Sequence, residues 1–126
     1  MTKLEVAQSH KRIQRFTQRI LHNKLYVFRT WGIYNSIHSF KSDPKYIGTV
    51  ILARVDGECV GCCMYVPGHP FNVQVFVKKT HRKKGIGRLM LDKLKKKHPF
   101  VRFTPETSSQ KNLRFYKSLL KNETGF

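Results

Sequence analysis

The strongest constraint on the fold is a pair of β-rich segments joined by Asp56 and Gly57. The segment Thr49–Val55 precedes this dipeptide and Glu58–Val66 follows it. Asp-Gly between two such segments is typical of a tight hairpin, because both turn residues can adopt positive φ. The sequence therefore predicts two antiparallel strands in the middle of the chain. A third strand is predicted over Phe71–Val77, after a break rich in Pro and Gly.

Helical periodicity flanks these strands on both sides. Apolar residues recur at helical spacing in Gln8–Asn23, opposite a basic stripe, which predicts an amphipathic helix. The aromatic-rich segment Leu25–Phe40 is also predicted to be helical. The later elements are a helix over Gly87–Lys97, a short strand over Val101–Phe103 and a helix over Ser108–Leu120. The length of 126 residues predicts a single domain, 1–126. The order of helices and strands predicts the α/β class, here a small α+β fold with a mixed sheet.

The charge of the chain predicts an anionic partner. The chain has 25 Lys and Arg against 7 Asp and Glu, a formal net charge of +18. Solubility alone needs a net charge of only about 2–8. We therefore expect binding to nucleic acid, a phosphorylated cofactor or an acidic protein. No apolar stretch has the length of a signal peptide or of a membrane span, so we expect a cytoplasmic protein without membrane insertion.

Three cysteines, Cys59, Cys62 and Cys63, lie in the predicted second strand. The C-x-x-C spacing of Cys59 and Cys62 is also found in zinc sites. In a regular strand, however, these two side chains point to opposite faces and cannot bind one ion. We therefore expect buried, reduced thiols and no metal site.

A basic loop joins the third strand to the following helix. It contains Arg82, Lys83 and Lys84, and the first turn of the helix contains Gly85 and Gly87. A helix N-terminus offers unpaired N–H groups and a partial positive charge. Glycine allows these backbone donors to approach a pyrophosphate closely. The sequence therefore predicts a phosphate site, although neither the Walker pattern nor the full dinucleotide pattern is present.

This region resembles the acetyl-CoA motif of the GCN5-related N-acetyltransferases (GNAT). The matching features are a strand ending at Val77, a short connector, and R-x-x-G-x-G over Arg82–Gly87. Farther along, Phe115 and Tyr116 resemble the Phe-Tyr pair of a late helix in the family. The resemblance covers roughly residues 48–120. It implies a fold that binds acetyl-CoA as co-substrate and transfers the acetyl group to an amine.

The resemblance also implies roles for individual residues. The strand backbone would pair with the pantetheine arm, and the loop amides would hold the pyrophosphate. The implied cofactor-binding residues are Val75, Phe76, Val77, Arg82, Lys83, Lys84, Gly85, Ile86, Gly87, Arg88 and Ser109. Ser109 stands where the family often has an Asn. Tyr116 corresponds to the family's general acid toward the leaving thiolate, although an aromatic at this helical spacing also suits a core position.

Two departures from the family pattern bear on the acceptor. The family's last two strands have no counterpart in this sequence, which would leave one side of the acceptor cleft open. The family often has a Glu on the strand before the loop, but here that strand offers only Asn72 and Gln74. Glu106, His69 and His81 are alternative bases that no pattern supports.

Without a base, a weakly basic amine is the better acceptor. Deprotonating a lysine amine at pH 7 costs about 4–5 kcal/mol, whereas an α-amine costs about 1 kcal/mol. Together with the basic charge, this predicts acetyl transfer to an aminoacyl-tRNA or to a protein. The alternative is a catalytically silent GNAT-fold protein that binds nucleic acid or a host factor through its basic surface. A third hypothesis is binding to anionic membranes through the N-terminal helix.

Overall fold

The computed structural model describes residues 1–22 and 31–104. Within these ranges the chain forms four strands and three helices. In chain order they are β1 (Thr2–Ala7), α1 (His10–His22), α2 (Trp31–Ser42), β2 (Thr49–Val55), β3 (Glu58–Tyr65), β4 (Val73–Val77) and α3 (Ile86–Lys97). A 3₁₀ turn over Lys79–His81 lies between β4 and α3. The predicted α+β class is confirmed, whereas the helix predicted over Ser108–Leu120 lies outside the described residues.

The sheet has the strand order β1-β2-β3-β4, and each of these neighbouring pairs is antiparallel. The predicted hairpin forms β2 and β3. Asp56 and Gly57 have φ of 51° and 81°, the left-handed conformation that a tight hairpin turn needs. Because β2 and β3 are central, they are buried over most of their length.

Helices cover both faces of this sheet. On the face covered by α1 and α2, called here the α1/α2 face, the buried core consists of Ala7, Ile13, Phe16, Ile20, Ile37, Phe40, Ile47, Val50, Leu52, Cys59, Cys62, Met64 and Val66. On the opposite α3 face it consists of Ile51, Ala53, Val60, Cys63, Val73, Val77, Ile86, Met90, Leu91, Leu94 and Phe103. Successive residues of β2 alternate between the two cores, as the pleat of a strand requires.

A β-bulge interrupts the pairing of the central strands. Ala53 pairs with Gly61, but the next residue, Arg54, pairs with Cys59. Val60 is therefore the extra residue on β3. A bulge of this kind reverses the alternation of side chains on the strand that carries it.

The bulge changes where the cysteines lie. Cys59 and Cys62 belong to the same core, on the α1/α2 face, while Cys63 lies on the α3 face. The prediction that Cys59 and Cys62 point to opposite faces is therefore wrong, because it assumed an uninterrupted strand. All three thiols are free and buried. Burial raises the pKa of each of them, which keeps the thiols protonated.

The N-terminal strand β1 is not predicted from the sequence. It pairs along the whole of β2, from Thr2 opposite Val55 to Ala7 opposite Val50. Leu4 and Val6 pack against the core of the α3 face. β1 is an edge strand that its partner stabilises, so its own sequence gives only a weak signal.

The strand predicted over Val101–Phe103 does not form, and no parallel pair occurs among the described strands. Instead the side chain of Asn72 holds this segment. Asn72 Nδ2 donates to the carbonyl of Arg102 (3.0 Å), and the N–H of Thr104 donates to Asn72 Oδ1 (2.6 Å). The ring of Phe103 is buried in the core of the α3 face. A side-chain amide therefore takes the place of strand pairing here.

The first three predicted helices and the third predicted strand are present with shifted bounds. Ser9 caps α1 by accepting the N–H of Arg12 (3.3 Å), so the helix begins two residues later than predicted. The second helix begins at Trp31 among the described residues, and α3 begins at Ile86. No helix within residues 1–22 and 31–104 is long and apolar enough to cross a membrane.

Gly61 is predicted to be essential for packing at the bulge. An added Cβ would lie 2.9 Å from the carbonyl oxygen of Phe76 and 3.1 Å from the Met90 methyl group. We expect Gly61→Ala to lower the free energy of unfolding by about 1–3 kcal/mol. Gly68→Ala is the matched control, because nothing lies within 4 Å of its added Cβ. Urea unfolding of both variants measures the difference, and equal stabilities would contradict the assigned packing.

Glu5 is predicted to make the free energy of unfolding depend on pH. The hydrogen bond from Arg54 holds the pKa of Glu5 below its usual range, with partial burial opposing it and the Arg54 and Arg19 charges adding to it. Its contribution is therefore present above the unfolded pKa of about 4.3 and is lost as the pH falls through the lower folded pKa. We expect Glu5→Gln to cost about 1 kcal/mol at pH 7 and less at pH 3. Urea unfolding at both pH values tests this, with Asp56→Asn as an exposed control; an equal cost at both would contradict the ion pair.

Candidate functional site

Strand β4, the 3₁₀ turn and α3 form a continuous strand–loop–helix unit beside β3. The two residues that flank β4 hydrogen-bond through their backbone to the neighbouring strand. The N–H of Val66, just after β3, donates to the carbonyl of Asn72 (2.8 Å), and the N–H of Lys78 donates to the carbonyl of Val60 (2.7 Å). Antiparallel hydrogen bonds alternate along a strand, so the backbone groups of Val73, Val75 and Val77 point away from β3. They therefore face the edge that no other described strand covers.

Arg82 fastens the loop to the end of β4. Its Nε donates to the carbonyl of Val77 (2.8 Å), and its guanidinium lies 5.7 Å from the centre of the Phe76 ring. The hydrogen bond is consistent with a Val77 carbonyl that points away from β3. The guanidinium of Arg82, which is predicted to face a phosphate, therefore lies at the C-terminal end of β4.

The N-terminus of α3 lies directly after this loop and is not capped by a side chain. Gly85 is the N-cap, and its carbonyl accepts the first helical bond from the N–H of Leu89 (3.0 Å). The N–H groups of Ile86, Gly87 and Arg88 therefore have no acceptor within the helix. They carry the positive end of the helix dipole.

The loop reaches this helix through two residues in the left-handed conformation, Lys83 with φ 63° and Gly85 with φ 79°. An added Cβ on Gly85 would meet nothing within 4 Å. The conformation, rather than crowding, is what requires glycine here. Lys83, Lys84 and Arg88 are exposed around the same turn. A donor set of backbone N–H groups and cationic side chains fits a pyrophosphate such as that of CoA and does not fit a metal cation.

The structure brings most of the predicted cofactor-binding residues together at one end of the sheet. Val75, Phe76 and Val77 form the second half of β4, and the loop residues Arg82–Gly85 lead into α3. Ile86 and Gly87 are buried in the first turn of that helix. Ser109 and Tyr116 lie outside the described residues. The contact of each of these residues with CoA stays a prediction.

The carboxylates of the described residues are poorly suited to act as a base at this site. Glu58 is paired with Lys78, the residue that directly follows β4. The hydrogen bond from Lys78 holds the pKa of Glu58 below its usual range, which weakens it as a base. Within the described ranges β4 carries no carboxylate.

The buried amide of Gln74 is a candidate functional group that no sequence pattern predicted. Its side chain lies on the α1/α2 side of β4 and is only 9% exposed. Its Nε2 donates to Ser36 Oγ on α2 (3.1 Å), while its Oε1 has no hydrogen-bond partner in the described structure. The available signal was a single polar residue inside an otherwise apolar strand, Val73–Val77.

A separate concave surface lies on α1. It encloses about 530 Å³ and is lined by Arg15, Gln18, Arg19, Leu21 and His22. Arg19 also pairs with Glu5 across 3.6 Å. None of the predicted cofactor-binding residues lines this surface. It adds a second basic region to that of the loop and α3.

Comparison with known proteins identifies the strand–loop–helix unit. Residues 47–119 match the family model described as "Acetyltransferase (GNAT) domain". This range includes β2, β3, β4 and α3, and the loop between β4 and α3. No curated protein sequence matches this chain significantly.

Solved structures with the same fold include several acetyltransferases. A ribosomal-protein-alanine N-acetyltransferase from Brucella melitensis biovar Abortus is 17% identical, with a TM-score of 0.57 over 94% of this chain and 90% of its own. An aminoglycoside acetyltransferase from an uncultured soil metagenomic sample is 15% identical, with a TM-score of 0.60 over 98% and 93%. The diaminobutyrate acetyltransferase EctA from Paenibacillus lautus, solved with its substrate and coenzyme A, is 22% identical, with a TM-score of 0.53 over 97% and 75%.

Gly85 provides a direct test of the phosphate site. An aspartate there would bring a negative charge to the α3 N-terminus and strain a backbone with φ of 79°. We expect Gly85→Asp to weaken acetyl-CoA binding by about tenfold or more, measured by calorimetry. Gly68→Asp carries the same added charge on an exposed turn away from the loop and should bind acetyl-CoA like the parent protein. Equal affinities of the two variants would exclude the loop as the phosphate site.

Proposed function

The chain belongs to the GNAT acetyltransferase family and is thus an N-acetyltransferase with acetyl-CoA as co-substrate, and we propose that its acceptor is an amine on an acidic macromolecule. The acceptor class we favour is an aminoacyl-tRNA, with a protein amine as the second choice. The observation that carries this proposal is the combination of two exposed basic regions with a β4 strand that bears no carboxylate.

The cofactor end of the site is assigned to the β4–α3 unit. The N–H groups from Gly85 to Arg88 would hold the pyrophosphate, and the side chains of Lys83, Lys84 and Arg88 would add charge around it. The outer edge of β4 from Val75 to Val77 is assigned to the pantetheine arm, with Phe76 between these two residues. When bound, acetyl-CoA supplies an acetyl thioester beside β4.

The surface charge favours an acidic partner. Three of the five acidic residues in the described ranges are paired: Glu5 is bound by Arg54, Glu58 by Lys78, and Asp56 lies 3.9 Å from the N-terminal amine. Over the whole chain, 25 Lys and Arg stand against 7 Asp and Glu, which gives a formal net charge of +18. A field of this sign attracts phosphate-rich partners and accelerates their encounter, an effect that weakens with salt.

The expected state of the acceptor amine follows from the lack of a carboxylate on β4. A strongly basic amine would have to lose its proton to water before reaching the site, which costs about 4–5 kcal/mol at pH 7. An aminoacyl α-amine needs about 1 kcal/mol or less, which water can supply. This difference supports the ester-linked α-amine of a charged tRNA over a lysine side chain.

Tyr116 is proposed as the proton donor. The acceptor nitrogen attacks the acetyl carbonyl carbon and the carbon–sulfur bond breaks. The Tyr116 hydroxyl then gives its proton to the sulfur, while the new amide loses its extra proton to water. Orientation of the two reactants can account for up to about 7–11 kcal/mol of such an acceleration.

Acetyl transfer from labelled acetyl-CoA to charged tRNA tests this function. We expect transfer to charged tRNA, none to uncharged tRNA, and a KM for charged tRNA that rises at least about tenfold between 50 and 200 mM salt. Tyr116→Phe should lower kcat by roughly 10²-fold without weakening acetyl-CoA binding, because it removes only a proton donor. Tyr46→Phe is the control, since Tyr46 is packed against the core of the α1/α2 face.

Two other results would each overturn part of the proposal. Transfer to peptide amines with no activity on charged tRNA would replace nucleic acid by protein as the acceptor. Salt-sensitive tRNA binding with no transfer to any amine would favour a binding role of the basic surface over catalysis on tRNA.

A further inference from the structure

Gln74 has a buried polar atom that the fold leaves without a hydrogen bond. Its amide nitrogen is bonded to Ser36 on α2, but its Oε1 has no partner within residues 1–22 and 31–104. An unsatisfied buried acceptor costs about 1–3 kcal/mol. Such atoms are rare in native proteins and call for a specific explanation, such as a binding role.

The surroundings of Gln74 are suited to a neutral donor. Its cross-strand neighbour is Met64, and on its own strand the next side chain on the same face is Phe76. Both belong to or pack against the apolar core of the α1/α2 face. A charged ammonium beside this carbonyl would lose its hydration without a carboxylate to replace it, which is strongly unfavourable. A neutral amine loses much less.

The position of Gln74 along β4 also connects it with the cofactor edge. One end of that edge is bounded by Asn72, which holds the segment leading to Thr104. The other end is bounded by Arg82 on the carbonyl of Val77. Gln74 lies between these limits, next to Val75, whose backbone points to the edge where the thioester arm is assigned. The length from Val73 to Val77 is about 13 Å at the usual strand rise.

We propose that Gln74 Oε1 accepts a hydrogen bond from the acceptor amine and selects acceptors that arrive as neutral amines. This inference rests on the proposed function and adds a specificity-determining residue to it. Ser36 holds the amide nitrogen, so the oxygen, which only accepts hydrogen bonds, is left for the amine. The site then discriminates against strongly basic alkylamines and favours the α-amino group of an amino-acid ester or amide.

The experiment compares two small acceptors, phenylalanine amide and Nα-acetyl-lysine amide, at pH 7 with saturating acetyl-CoA. The parent protein should prefer phenylalanine amide by about tenfold or more in kcat/KM. Gln74→Met keeps the size of the side chain but removes the acceptor, and should lower kcat/KM for phenylalanine amide about tenfold. Acetyl-CoA affinity, measured by calorimetry, should not change, because the amide lies on the α1/α2 face of β4 and is assigned to the acceptor rather than to the cofactor.

Gln74→Glu gives a second, gain-of-function readout. Burial in this apolar place would raise the pKa of the new carboxyl group, and the carboxylate could take the proton of a basic amine. We expect acetylation of Nα-acetyl-lysine amide to rise and a new ionisation to enter the pH dependence of kcat/KM. Ser36→Ala is the control for a purely structural role, since it removes the bond to α2 but keeps the amide of Gln74.

The outcomes separate the inference from the proposed function. If the parent protein fails to bind acetyl-CoA, the cofactor site itself is misassigned. If it binds acetyl-CoA and acetylates both amines equally, the selectivity assigned to Gln74 is wrong. If Gln74→Met and Ser36→Ala lose the same stability and keep the parent acceptor preference, Gln74 only fastens β4 to α2. A changed preference in the Gln74 variants, with acetyl-CoA affinity intact, supports the inference.

Discussion

The register between β2 and β3 is the constraint on which the rest of the structure depends. These two strands are central, and their side chains form parts of both cores. The left-handed turn at Asp56 and Gly57 sets where their pairing begins. The bulge at Val60 then shifts the pairing by one residue before β4 joins on the other side. A different register would exchange the residues that face α1 and α2 with those that face α3.

The end of β4 and the loop before α3, the two parts of the candidate site, both depend on this register. The bulge brings Gly61 opposite Val77, where the missing side chain lets the Phe76 carbonyl and Met90 approach closely. The end of β4 is thereby held against β3 while α3 packs beneath it. The loop after β4 must turn sharply to reach α3, and residues with positive φ allow that turn. The same turn leaves the first N–H groups of α3 available to an anion.

The absence of a carboxylate on β4 and the strong positive charge have a common consequence. Both favour an acceptor that brings its own negative charge and an amine that needs no enzyme base. Gln74 adds a neutral acceptor where a base could have stood. A site of this kind gains from orientation and from selecting the reactive protonation state, and it gives up the acceleration of about 10²–10⁴-fold that a general base can contribute.

The sequence by itself determined the features that depend on neighbouring residues. Asp56 and Gly57 specified the hairpin, and the periodicity before and after it specified α1 and α3. The glycines of the loop predict an anion site at a helix N-terminus. Each of these signals is local, because turn conformation and helix capping depend on residues close in the chain. The resemblance to acetyltransferases rests on the same local segment.

Only the tertiary structure decided the features that depend on distant partners. β1 exists because β2 supplies its hydrogen bonds, while the segment after α3 is held by Asn72 instead of forming a strand. The bulge placed Cys59 and Cys62 on one face, which alternation alone could not predict. The unpaired oxygen of Gln74 arises from the meeting of β4 with α2, some 38 residues apart at Ser36. Tertiary packing determines burial and hydrogen bonding between such distant residues, and no local sequence pattern predicts them.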